Sequence, residues 1–547
     1  MMGRITAIKG IIVRANGLSG RMYETVRIGD EGYGEIIDIL GNGLYSIQLF
    51  TNPEGMAVGD RVEEIGKPIT VEVGPHLLGH FFDGLEMSLE EGPFYRASIG
   101  NRLGAKFEFR PSVKKGDTLR PGQAIGPADG GAVLAPPDVS GTVKDVLEGK
   151  FTIYEPVCHV GGRAVAMSHE WPIRKPRPFA KRIFGNELMA TGQRVIDTFL
   201  PVKKGGTTTI PGGFGSGKTT FQHNFAEYAD ADTKVFVGCG ERGNEMADFI
   251  GAMRETRKMG STTVIANTSN MPIIARESSI YAGATMAEYL RDTGKSVLLM
   301  VDSLSRWAEA LREVGGIMEV IPAEEGYPPY LQERITEFFS RSGCVETLGG
   351  KKGCLTMIAS VSPPSGDFSE PITQYAASSA GVAIFMSSDL AHARVFPAVD
   401  LKVSFSKYFT TLVGGWEDVR RKAGANIKAL RSLVEKGFEI EEIEKIVGYE
   451  ALSPEQKITL RMTRIIRRDF LVQNAFDEND AYCSRVKTTA MLEAIAIYYS
   501  MVTRIYRKGG QIKFDKDAEA LIGKMKASDE KGAEGALQEI KNRLAYV

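Results

Sequence analysis

The chain has little that could cross-link it or hold it in a bilayer. Its five cysteines, Cys158, Cys239, Cys344, Cys354 and Cys483, are scattered, odd in number and free of any C-x-x-C pair. That usage points to a reducing compartment and to no disulfide framework. No apolar run is long enough to span a bilayer. The opening residues, Met1-Met-Gly-Arg-Ile-Thr-Ala-Ile-Lys, lack the apolar core of a signal peptide. A role at a membrane would therefore run through partners. Neither sign of charge is in excess: Lys and Arg number 67, Asp and Glu 68, for a net charge of −1. A dedicated nucleic-acid binder usually shows a basic surplus. What is present is ordinary for a globular protein, 43% hydrophobic and 25% charged residues. A length of 547 residues is too great for one core and predicts several domains.

Patterning changes along the chain. Residues 1–75 alternate short β-type runs with Gly/Asp/Asn turns, among them those at 29–32 and 41–43, which predicts a small β-barrel. A connector is expected over 76–109, then a second β-rich module over 110–170 punctuated by Pro121-Gly, Gly126-Pro and Pro136-Pro. Pro172-Ile-Arg-Lys-Pro-Arg-Pro178 follows. It reads as a stiff extended linker, or alternatively as a basic contact with nucleic acid or membrane. Within 171–410, strands at 207–210, 235–238, 263–266, 297–301 and 355–361 alternate with helical segments, the signature of a parallel sheet clothed in helices. From 411 to 547 the pattern is helical, with spaced apolar residues at 423–435, 454–470 and 486–506.

The most specific stretch is Gly212-Gly-Phe-Gly-Ser-Gly-Lys-Thr219, which fits G-x-x-x-x-G-K-[ST]. With 61 glycines in the chain, such a match is expected by chance at only roughly 0.05 sites. Glycines let successive backbone N–H groups converge on an anion, and the following helix adds its positive end. The nucleotide-binding set is thus Gly212, Gly213, Phe214, Gly215, Ser216, Gly217, Lys218, Thr219 and Thr220. Lys218 would reach the β- and γ-phosphates, and the Thr219 hydroxyl would ligate Mg²⁺. Downstream, Phe221, Phe225 and Tyr228 share one face of a helix.

Two further runs end strands in charge. Val297-Leu-Leu-Met-Val-Asp302 delivers Asp302 toward an Mg²⁺ shell, or else Asp302-Ser303 simply caps the next helix. Val235-Phe-Val-Gly-Cys-Gly-Glu-Arg-Gly-Asn-Glu245 ends in Glu241 and Arg242. Glu241 could orient or deprotonate water and Arg242 could neutralise phosphoryl oxygens; the alternative is a surface ion pair. In an open parallel sheet the carboxyl ends of the strands face the ligand.

These residues together resemble the catalytic A subunit of V/A-type rotary ATPases. The resemblance is carried by Thr191-Gly-Gln-Arg-Val-Ile-Asp-Thr-Phe-Leu-Pro201, Gly240-Glu-Arg-Gly-Asn-Glu245, Asn267-Thr-Ser-Asn-Met-Pro272, Ala275-Arg-Glu-Ser-Ser-Ile-Tyr281 and Asp302-Ser-Leu-Ser-Arg-Trp-Ala-Glu-Ala-Leu-Arg-Glu313. Glu324-Glu-Gly-Tyr-Pro328, Ser360-Val-Ser-Pro-Pro364, Gln473-Asn-Ala-Phe-Asp477 and Gly74-Pro-His-Leu-Leu-Gly-His-Phe-Phe-Asp-Gly84 extend it over essentially the whole chain. It implies a multidomain fold: N-terminal β-barrel, β-rich bulge, central RecA-like α/β P-loop domain and C-terminal helical domain. It implies ATP hydrolysis or synthesis with Mg²⁺ and ATP/ADP, coupled to rotation and to proton or sodium transport. By resemblance, Glu241 positions the hydrolytic water, Lys218 and Arg242 hold the γ-phosphate, and Arg306 lies near it. Phe405, in Ser404-Phe-Ser-Lys-Tyr408, aligns with a segment whose aromatic stacks on adenine, a packed core side chain being the alternative. The implied partners are a B-type subunit giving an arginine finger in trans, central rotor and peripheral stalks, and a membrane ion-translocating sector. That places the chain in a peripheral complex on the cytoplasmic side of a membrane, without nucleic acid. Departures include Ser216, where many relatives carry cysteine, and Leu304, where threonine is usual. A non-catalytic ring scaffold and a hexameric nucleic-acid motor are the competing readings; the intact P-loop with Glu241 argues against the first. The absence of a basic–aromatic stacking motif in the barrel argues against the second.

Overall fold

The structure, a computed structural model, describes residues 2–29, 32–50, 53–85, 104–512 and 514–545. Most of the connector expected over 76–109, and half of the 29–32 turn, lie outside the described residues. The chain forms two compact units. One comprises Met1–Phe184, Ala231–Pro363 and Phe368–Ser379; the other comprises Gly185–Asp230, Pro364–Asp367 and Ala380–Val547.

The first unit begins with a closed six-stranded barrel built from Met2–Lys9, Ile12–Asn16, Glu24–Ile28, Gly32–Gly41, Leu44–Leu49 and Arg61–Pro68. Alternation supplies its core: Val13, Val26, Ile36, Ile47 and Val62 are fully enclosed. The β-rich module holds two four-stranded sheets around Phe109, Ile125, Val133, Ile153 and Val157. The parallel sheet of this unit places Thr233–Glu241 between Thr262–Thr268 and Ser296–Asp302, with Lys352–Val361 beyond the latter and Phe81–Phe82 beyond the former. Its central strands are apolar on both faces, as a doubly covered sheet requires.

Two expectations change here. The basic run at 172–178 is not a solvated linker. Arg174 bridges Glu35 of the barrel and Glu277 of helix Ile273–Asp292, at 2.5 Å to each, and Arg177 pairs with Asp292 at 2.8 Å. These cations are used inside the unit, leaving neither for an external polyanion. Cys344 and Cys354 form a disulfide, where none was expected. Antiparallel pairing of Gly343–Glu346 with Lys352–Val361 puts them directly opposite, with Cα atoms 4.0 Å apart. Strand register made the pair, and no cysteine spacing motif announces register.

The second unit carries Thr207–Pro211, in parallel pairing with Val382–Ala383, which pairs antiparallel with Phe405–Ser406. Its helical part runs through Ala423–Val447, Pro454–Ile465, Arg485–Arg507, Lys516–Met525 and Glu530–Ala545. Ser453 begins the second of these with a reciprocal capping box to Gln456 and a proline in the first turn. No helix among the described residues is long and apolar enough to cross a membrane.

Candidate active site

In the second unit, the loop Gly212 to Thr219 joins strand Thr207–Pro211 to helix Lys218–Tyr228. Gly217 caps that helix in the left-handed region at φ 84°, a conformation that favours glycine. A Cβ on Gly212 would come within 2.7 Å of both Met386 Cβ and Ser216 Oγ, so the close turn needs a bare backbone there too. Ser216 is buried and donates to the Gly213 carbonyl at 2.8 Å, tying the loop to itself. The Lys218 ammonium donates to the Gly212 carbonyl and, at 3.4 Å, to that of Gly213, so it lies over the loop. Thr219 and Thr220 are exposed at the helix start, and the Phe214 ring is 91% exposed. Phe221 and Phe225 anchor the helix below, in an edge-to-face pair.

Beside the loop lies a cavity of about 460 Å³. One wall is the helix face with Gly217, Thr220 and Asn224. Phe396 and Pro397 form another, Gln473 to Asp477 a third, and Lys526 with Ala527 a fourth. The third wall is firmly held. Buried Arg194 donates to the Phe470 and Val472 carbonyls and pairs with Asp480, while Gln473 donates to the Gly192 and Asp480 carbonyls. Phe476 keeps its ring 91% exposed at the cavity. Phe405 does not line this cavity. Its strand pairs with Val382–Ala383, and its ring lies 5.7 Å from the Lys407 ammonium. The aromatics that face the space beside the P-loop are Phe396 and Phe476. Sequence reasoning quoted Phe476 only as part of a matching motif and passed over Phe396.

In the first unit, Glu241 ends its strand at an irregularity between Cys239 and Glu241, where one extra residue, Gly240, is inserted. Gly240 has φ 71°, and a Cβ there would stand 2.8 Å from Arg306 Cβ. The bulge brings the strand end close against Arg306 and Arg276. Burial pushes the Glu241 carboxyl up to about 8, the Asp302 and Glu245 carboxylates push the same way, and Arg306 pulls it back. Asp302, at the end of the neighbouring strand, accepts a hydrogen bond from the Ser360 hydroxyl. The cap of the following helix, Leu304–Ile317, is Ser303, and it makes no side-chain capping bond. Arg306 chelates Glu309 at 3.0 and 2.9 Å. Arg242 is exposed as the N-cap residue of helix Gly243–Glu255. Arg276, Glu245 and Ser360 complete this cluster and were given no role by sequence reasoning. Arg276 and Ser360 sit inside quoted motifs, but only the fold shows that their side chains reach Glu241 and Asp302.

Each half has a distinct chemistry. The loop offers converging backbone donors, a lysine, exposed threonine hydroxyls and an aromatic-lined cavity. The cluster offers three carboxylates, one of them strongly proton-retaining, with arginines alongside. Phosphoryl transfer draws on both sets.

Comparison with known proteins gives the same answer. Residues 192–406 match the ATP synthase alpha/beta family nucleotide-binding domain, 415–513 the C-terminal domain of V and A type ATP synthase, and 102–174 the ATP synthase alpha/beta barrel-sandwich domain. The chain is 42% identical to the catalytic-type A subunit of the A-type ATP synthase from Nanoarchaeum equitans, over 93% of this chain and 92% of that one. It is 43% identical to the V-type ATP synthase alpha chain of Thermoanaerobacter pseudethanolicus, over 93% and 91%. Among solved structures, the ATPase EscN of the enteropathogenic E. coli type III secretion system superposes with a TM-score of 0.66 at 24% identity. That alignment covers 90% of this chain and 99% of EscN, a likeness of fold. With barrel, nucleotide domain and helical domain in the family's order, the chain belongs to the catalytic A subunits of the A/V-type ATP synthases.

Proposed function

We propose that this protein hydrolyses or forms ATP with Lys218 on the β- and γ-phosphates, Glu241 as the group that orients and deprotonates the attacking water, and Arg242 and Arg306 offsetting phosphoryl charge. The observation that carries the reading is the proton affinity of Glu241. A buried carboxyl held near 8 by burial and neighbouring carboxylates is matched to taking a proton from water near neutral pH. The adenine end is assigned to the cavity lined by Phe396 and Phe476, in place of Phe405.

Mg²⁺ fits the residues present. The donors are hard oxygens, the Thr219 hydroxyl in one unit and Asp302 in the other, the latter acting through bound water. Glu241, Asp302 and Glu245 carry more negative charge than their arginines offset. Among the described residues no three His, Cys, Asp or Glu gather into a protein-only metal cage. Mg²⁺ characteristically uses one or two side chains plus substrate phosphates. When bound, it would neutralise charge developing on the phosphates.

The wider assembly follows from the family. A B-type neighbour supplies an arginine in trans, stalk subunits hold and turn the ring, and a membrane sector moves protons or sodium, with this chain peripheral on the cytoplasmic side. The end of helix Ala423–Val447 supports a rotor contact: Ile443, Ile446 and Val447 are exposed there, Ile446 at 85%. The direct test is Glu241→Gln. Nucleotide binding should persist while turnover falls about 10²–10⁴-fold; undiminished turnover sinks the assignment.

A further inference from the structure

The four walls of the cavity beside the P-loop are not held alike. Three belong to the loop's own helix, to the Phe396–Pro397 segment, and to residues 473–477 bolted down by Arg194 and Gln473. The fourth is the turn between helices Lys516–Met525 and Glu530–Ala545, which brings Lys526 and Ala527 to the cavity. These helices lie beyond residue 513, where the family match to the C-terminal domain ends.

One buried side chain reaches both the third wall's chain segment and the fourth. Lys487, in the first turn of helix Arg485–Arg507, is 3% exposed. Its ammonium donates to the Asn479 carbonyl at 2.6 Å and to the Lys526 carbonyl at 2.7 Å. Those acceptors are 8 and 39 residues away in sequence. Asn479 lies between Asp477 and Asp480, both of which line the cavity. A buried ammonium with carbonyl acceptors is held far more firmly than a solvated one, because releasing it would leave the charge unpaired. Burial lowers the Lys487 ammonium from its ordinary range, with Arg194 opposing the charge and Cys483, Asp480 and Asp477 favouring it. The other ties of the C-terminal helix pair run between exposed or half-exposed groups: Ser484 to Glu530, and Arg420 to Glu534.

We infer that Lys487 is a positioning residue for the nucleotide base: by clamping the turn at Lys526 to the chain at Asn479, it fixes the width of the cavity that receives the base, and so makes the C-terminal helix pair part of nucleotide recognition. The inference rests on the reading that this cavity takes the base. Lys487 touches no phosphate-loop residue, so its effect should fall on the base and spare the phosphates.

The test compares Mg-ATP with Mg-tripolyphosphate, which has no base, by calorimetric binding to the full chain. Phe396→Ala should weaken ATP and leave tripolyphosphate unchanged, which checks the base reading on its own. Lys487→Met should raise the ATP dissociation constant about tenfold, equivalent to about 1.4 kcal/mol, again sparing tripolyphosphate. Lys487→Arg, which keeps a cation on a long stem, should recover most of the loss. A merely structural lysine would shift both ligands together, and that result overturns the proposal. So does an unchanged ATP affinity in Lys487→Met when Phe396→Ala shows the split. If Phe396→Ala shows no split, the base reading itself falls and takes the clamp with it. Should Lys487→Met fail to fold, Ala527→Trp, at an exposed position of the same turn, replaces it. It should weaken ATP selectively, and equal binding of both ligands to wild type and variant overturns the turn's place at the base.

Discussion

Glu241 shares its strand end with two other acids, and its proton affinity sets an observable pH dependence. A base must be ionised to act, and this carboxyl is raised to about 8 chiefly by burial, then by Asp302 and Glu245. Turnover of the assembled enzyme should therefore climb as pH rises from about 6 and level off above about 8, with kcat/KM reporting the unliganded site. Glu245→Gln removes one like charge and one shared hydrogen bond, so the acid limb should move to lower pH. A limb that stays put in that variant would separate the profile from this cluster. At this scale the sequence was legible wherever a motif fixes both residue and backbone: Lys218, Thr219, Glu241 and Asp302 all stand at strand or helix ends. It was not legible for the base-binding aromatic. Phe396, Phe405 and Phe476 are equivalent as letters, and only the path of the chain decides which ring faces the cavity.

Elements place those residues, and two of them show how closely. The bulge at Gly240 combines a positive φ with backbone pressed against Arg306 and Arg276. Gly240→Ala should destabilise by about 1–3 kcal/mol and cut turnover sharply, because relief of the clash displaces Glu241. Thermal unfolding and ATPase assays on one preparation check both halves. The segment at 172–178 gives the second case. Arg177 is 1% exposed, donates its side chain to Asp292 at 2.8 Å and its backbone N–H to Glu288. Arg177→Leu leaves Asp292 with one cation fewer, Arg291 remaining, and should cost about 3 kcal/mol or more in denaturant titration. A loss under about 0.5 kcal/mol would mean the pair is solvated in solution, as surface pairs are. Strands and helices were read from period and turn residues. The buried roles of Arg174 and Arg177 were not, because a basic, proline-broken run looks the same whether its cations meet water or carboxylates supplied from residues 35 to 292. The Cys344–Cys354 bond escaped for a related reason: it depends on the register of a hairpin.

At the scale of the whole molecule, the chain carries a phosphate loop and a carboxylate–arginine cluster, yet the cations of that cluster are largely occupied. Arg306 is chelated by Glu309, and Arg276 pairs with Glu313 at 3.4 Å. Charge spreading over a transferring phosphoryl group needs a cation that is not already satisfied, and in related chemistry an arginine supplied in trans is worth about 10³-fold or more. The modular order of barrel, nucleotide domain and helical domain was readable from composition shifts alone, but a residue belonging to a neighbour is in principle absent from this sequence. The purified full chain should accordingly bind Mg-ATP and hydrolyse it slowly, and assembly with a B-type partner should raise turnover by about 10³-fold at little change in nucleotide affinity. Steady-state ATPase rates with and without the partner, beside equilibrium binding, measure the two quantities separately. Turnover by the chain alone at the assembled rate would show that Arg242 and Arg306 suffice and that no arginine in trans is required. Stimulation that survives replacement of the partner's interfacial arginine would instead assign the partner's effect to ordering of the ring.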